Sequence, residues 1–162
     1  MSGLYPVPKE TEVHEMLSML YGDGFELDSG EPVPVEDDKS MLAVYVNDSG
    51  EPSTACVCNY HFAAFAGAAL TKIPVGGAED AAATGDFSEM MMSNLHEIMN
   101  ICSRIFMDNS SPHIKLDKLY KSLDDAPDDV RALLGKTAKT VDFNVTIPGY
   151  GDGAISFLCT NE

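Results

Sequence analysis

The 162-residue chain has the length of one ordinary domain, and 44% hydrophobic against 22% charged residues is the balance of a globular protein. Its 26 acidic and 10 basic side chains leave a formal charge of −16, which argues against nucleic acid and anionic membranes as partners because both are bound through basic patches. No apolar run approaches the roughly 20 residues of a spanning helix, and "MSGLYPVPKETEV" has neither a basic start nor an apolar middle, so neither membrane span nor signal peptide is expected and the protein reads as cytoplasmic.

Along the chain, Val13, Met16, Leu17, Leu20 and Tyr21 fall at helical spacing within Lys9–Tyr21, and Gly22 and Gly24 supply a stop. The stretch "ELDSGEPVPVEDDKS" is rich in Pro, Gly and acid and reads as a loop or an irregular edge strand. Two β-rich runs, Met41–Val46 and Thr54–Tyr60, joined by "NDSGEP", predict a hairpin. "HFAAFAGAALTKIP" predicts a helix of small residues that packs closely on a neighbour, ended by Pro74. "VGGAEDAAATGD" then reads as a linker. Asp86, three residues before Glu89, gives a capping-box pattern that starts a long helix over Ser88–Phe106.

Beyond it, Asp108–Asp125 shows no clear period, and "DDAPDDVRALLGK" predicts a short helix with acids in its first turn and Gly135 just past its end. "KTVDFNVTIPGYGDGAISFLCT" alternates polar and apolar residues on both sides of "PGYGDG", a second hairpin. Paired strands with helices between them predict an α+β fold over residues 1–162: an antiparallel sheet built from hairpins, with the long helices packed on one face.

Little else carries chemistry. Cys56, Cys58, Cys102 and Cys159 lie in apolar segments at spacings that imply neither zinc nor a disulfide. His14, His61, His96 and His113 are scattered and sit beside no nucleophile motif. Gly76 and Gly77 lack the following Gly-Lys-Ser/Thr of a phosphate loop, and Met90, Met91 and Met92 read as core filler.

The long helix is different. At about 100° per residue, Ser93, Glu97, Asn100 and Arg104 share a sector roughly 60° wide, opposite an apolar arc of about 140° formed by Met91, Leu95, Ile98, Met99, Cys102, Ile105 and Phe106. Asn and Ser are mediocre helix formers, so a stripe serving solubility alone would favour Ala, Lys or Gln. A carboxylate and an amide one turn apart can hold a partner's Lys and hydrogen-bond a water.

Ser93-x-x-x-Glu97-x-x-Asn100 resembles the Asp/Ser-x3-Glu-x2-Asn signature of the CheC, CheX and FliY phosphatases of bacterial chemotaxis, and the order of elements is similar across most of the chain. One copy of the signature resembles CheX more than CheC. The resemblance implies hydrolysis of the aspartyl phosphate on a CheY-like response regulator, with Asn100 placing the water, Glu97 gripping the regulator's Lys and Ser93 at the signature's first position. It also implies a homodimer, no cofactor of the chain's own, and Mg2+ held by the regulator. The chain departs from the family pattern in having Pro127 later than the family's Pro, and Met99 and Arg104 where Gly is frequent. Arg104 could bind the phosphoryl group or pair with Glu97. The alternative function is a non-catalytic module of the same fold that docks a signalling partner.

Overall fold

The computed structural model describes residues 6–34, 39–135 and 139–159. Residues 35–38 of the Pro- and acid-rich stretch, 136–138 just before the last hairpin segment, and 160 at that segment's end lie outside the described residues. Helix α1 (Glu10–Tyr21) buries Val13 and Leu17, one turn apart, and ends where the Gly22 N–H bonds the Ser18 carbonyl at a φ of 77°. Of the two readings for the next stretch, the edge strand holds over β1 (Glu26–Ser29), which turns only Leu27 inward.

The first hairpin is present as β2 (Ser40–Val46) and β3 (Pro52–Asn59). Tyr60, expected to end the strand, opens helix α2 (Tyr60–Leu70) instead. The cause is Asn59, whose side-chain oxygen accepts the Phe62 N–H (2.9 Å) as an N-cap and the Ala154 N–H (3.1 Å) of a neighbouring strand.

The expected linker is helix α3 (Val75–Thr84), with Pro74 in the N-cap position and Gly85 closing it in the left-handed conformation. Its Ala78, Ala81 and Ala82 are buried against α2, so the apolar face exists but is built from methyl groups that give little periodic contrast. Helix α4 (Glu89–Cys102) continues into a single 3-10 turn over Ser103–Phe106. Its cap is Ser88, which accepts the Met91 N–H at 3.2 Å, and not Asp86, which lies too far upstream to reach the first turn.

Strand β4 (Lys115–Tyr120) occupies part of the segment read as aperiodic. It pairs with β2 through a bulge: Val44 faces Lys118 and the next residue, Tyr45, faces Leu116, leaving Asp117 extra. Leu116 and Leu119 therefore pack on the same core despite an odd spacing, which hides the strand's alternation. Helix α5 (Asp128–Gly135) follows with its acids in the first turn but takes in Gly135, expected just past its end, and the hairpin β5 (Lys139–Ile147) and β6 (Gly151–Cys159) follows as expected.

Among the described residues six strands form one antiparallel sheet in the order β1-β5-β6-β3-β2-β4. Alternate residues of β2 and β3 feed two cores. Met41, Ala43, Tyr45, Cys56 and Cys58 point into the larger one under α1–α4, and Leu42, Val44, Ala55 and Val57 into a smaller one under α5. The long helices thus share one face, as expected, while short α5 covers part of the other. Helix α2 is wedged between sheet and α4 so closely that a Cβ on Gly153 would lie 2.5 Å from the Phe62 Cα, and one on Gly67 2.9 Å from the Met91 carbonyl oxygen.

Candidate functional site

Helix α4 is fixed from below by bonds to its neighbours. Asn94 is buried on the flank of the helix, and its Nδ2 donates to the Gly67 carbonyl and the Thr71 Oγ1, both at 2.8 Å. Gly67 belongs to the last turn of α2, where carbonyls lack helical partners, so Asn94 satisfies one while joining the two helices. At the other end, the Ser103 N–H turns back to the Asn100 and Ile101 carbonyls as the helix tightens. The buried Tyr45 hydroxyl of β2 donates to the Met99 carbonyl at 2.6 Å, one residue before Asn100. The Ser103 hydroxyl donates to the Asn100 carbonyl at 2.7 Å. Burial, with the Cys56, Cys102 and Cys58 sulfurs nearby, pushes the Tyr45 phenol well above its ordinary pKa, so it stays protonated and keeps donating.

Above this anchored backbone the four stripe residues all reach solvent. Ser93, Glu97 and Asn100 lie on α4 and Arg104 on the 3-10 turn, each exposed, opposite Met91, Leu95, Ile98, Met99 and Cys102 in the core. None of the four side chains is held by a hydrogen bond or ion pair among the described residues, so Arg104 does not pair with Glu97. Of the two roles open to Arg104 in the sequence, the one that would occupy Glu97 is therefore not adopted. The carboxylate and the amide stand free, a turn apart, on a helix that cannot easily shift.

Glu97 stands on a ridge between two shallow grooves. On one side Ser93, His96 and Glu97 face Asp117, Lys118 and Leu119 of the edge strand β4. On the other, Glu97, Ile101 and Arg104 face Glu12, Met16 and Met19 of α1. The sequence gives no sign that β4 or α1 side chains border the stripe, even though Met16 stands out there as an apolar position of α1, because they reach it only through the tertiary fold. Asn94 carries a single signal in the sequence, a polar residue at the margin of an apolar arc.

Elsewhere the chemistry is sparse. All four cysteines are free and buried, and burial pushes the Cys102 thiol up to about 12. Among the described residues no cluster of His, Cys, Asp and Glu could hold a metal ion, and no helix is long and apolar enough to cross a membrane. His113 bonds Asp48 at 2.9 Å in an exposed pair.

The sequence matches no family model and no curated protein. The structure does have solved neighbours. FliM from H. pylori, in its complex with SpeE, superposes with a TM-score of 0.54 at 10% identity over 91% of this chain and 77% of that one. FliY from Thermotoga maritima gives 0.52 at 15% identity over 89% and 80%. FliM from H. pylori in complex with FliG gives 0.51 at 11% identity over 93% and 87%. At such identities the likeness speaks for the fold, which is the CheC/CheX/FliY-like α+β fold found also in the FliM middle domain.

Proposed function

We propose that this chain removes the phosphoryl group from the aspartyl phosphate of a CheY-like response regulator, as a single cytoplasmic domain that works as a homodimer. The observation that carries the reading is the pair of free side chains, Glu97 and Asn100, in the Ser93-x-x-x-Glu97-x-x-Asn100 spacing on the exposed side of an anchored helix. Glu97 pairs with the regulator's Lys and seats the complex. The Asn100 amide hydrogen-bonds a water and aims it at phosphorus; an amide is a poor base, so its contribution is position. The water oxygen bonds to phosphorus as the bond from phosphorus to the aspartyl oxygen breaks, restoring the carboxylate and releasing inorganic phosphate. Mg2+ held by the regulator would supply the charge neutralisation that such a transfer needs, while Glu97 and Asn100 supply seating and position.

A second reading, docking without catalysis, is favoured by two observations. Two of the fold neighbours are FliM in complexes with other proteins, and Arg104 places a free cation one turn from Asn100. The decay of a phosphorylated regulator separates the readings when followed with the wild-type chain and with Asn100→Ala, alongside a binding measurement. Faster decay that falls on the order of 100-fold in Asn100→Ala, with binding retained, is the expected outcome. Binding without any acceleration by the wild-type chain would replace the phosphatase with the docking module.

A further inference from the structure

Four large apolar side chains are exposed among the described residues, and Met19, at 85% exposure, is the most so. A lone exposed Met is ordinary. Met19, however, stands at the lip of the groove between α1 and the C-terminal half of α4, whose volume is about 610 Å³ and whose floor is Met16, Leu20, Ile101, Ile105 and Met107. Its rim carries Glu12 and Glu15 from α1 and Glu97 from α4, with Arg104 the one cation among the described residues that line it. An apolar trough with three carboxylates on its border is complementary to one kind of surface: apolar residues on one side, Lys or Arg flanking them. Methionines suit that role, since an unbranched, polarisable side chain repacks around different apolar anchors at little cost.

We propose that this groove docks a basic amphipathic helix of a partner protein, its apolar side chains at i, i+3, i+4 and i+7 lying on the methionines and its cations meeting Glu12, Glu15 and Glu97. A second copy of the chain is a poor occupant, because it brings the same acidic rim and a formal charge of −16. An anionic lipid surface is repelled for the same reason. The proposal does not depend on phosphatase action; it is read by binding, so either can fail while the other stands.

The probe is a fluorescent synthetic peptide of Leu and Lys, about 18 residues long with helical apolar spacing, and anisotropy reports its affinity. Met19→Asp should weaken binding at least tenfold without disturbing the core, since the side chain is exposed. Glu12→Lys combined with Glu15→Lys should do likewise, and Arg104→Glu should tighten binding severalfold. A scrambled peptide of the same composition should bind much more weakly. Equal binding of the scrambled peptide, or affinity indifferent to Met19→Asp, would reduce the attraction to the general negative charge of the surface and overturn the proposal. So would a concentration-dependent dimer that Met19→Asp dissolves, because the groove would then belong to a second copy.

Discussion

Two asparagines six positions apart on α4 separate the structural from the functional meaning of one residue type. Asn94 is 7% exposed and spends both hydrogens of its amide on α2, whereas Asn100 is exposed with its amide free. Replacing Asn94 with Ala leaves the Gly67 carbonyl without its donor and a hole between two helices, so Asn94→Ala should cost about 2 to 3 kcal/mol in urea unfolding. Asn100→Ala removes nothing from the fold and improves helix propensity, so its stability should stay within about 0.5 kcal/mol of wild type. The comparison also protects the kinetic test, since loss of dephosphorylation in a fully stable Asn100→Ala protein cannot be blamed on unfolding. If instead Asn100→Ala proves the more damaging of the two, Asn100 has a structural partner and the free-amide reading of the stripe is wrong.

At the level of elements, what could be read from sequence was whatever a single segment expresses by itself. The period of α4 places Ser93, Glu97 and Asn100 on one side and Leu95, Ile98 and Cys102 on the other with no knowledge of the fold, and the two hairpins announce themselves by their turns. Helix α3 was missed because Ala and Gly contrast weakly with one another, and β4 because Asp117 breaks its alternation where it pairs with β2. The groove was invisible for a third reason: its two walls are 80 or so residues apart and meet only in the folded chain. The start of α4 shows how narrowly such a reading can miss. Asp86 and Ser88 are both good capping residues near Glu89, but only the Ser88 oxygen lies within reach of the Met91 N–H. Ser88→Ala should therefore lower stability by about 1 kcal/mol, and Asp86→Ala by no more than a few tenths. Equal losses would mean that a longer-range attraction of Asp86 to the helix N-terminus matters as much as the hydrogen bond.

For the molecule as a whole, the larger core is built around groups that must stay protonated. Burial raises the Cys56 and Cys58 thiols well above their ordinary value and the Cys102 thiol to about 12, and it raises the Tyr21 and Tyr45 phenols likewise. A raised folded-state pKa means that the unfolded chain gives up its protons first, so the stability these groups contribute is complete below the ordinary thiol value of 9.0 and drains away as pH rises above it. Each thiol can remove up to about 1.4 kcal/mol per pH unit within that window, and the phenols join it from about pH 10 upward. Urea midpoints should accordingly hold steady up to about pH 8 and fall steeply by about pH 11. The chain's excess of 26 acidic over 10 basic residues pushes the same way, because lysines lose their charge in the same range and self-repulsion grows. Salt tells the two apart: it screens repulsion between exposed charges but does not ease the ionisation of a thiol buried under α4. If about 1 M salt abolishes the alkaline loss, surface repulsion governs it; persistence of most of the loss identifies the buried thiols and phenols, Tyr45 among them, whose proton also holds the Met99 carbonyl beneath Asn100.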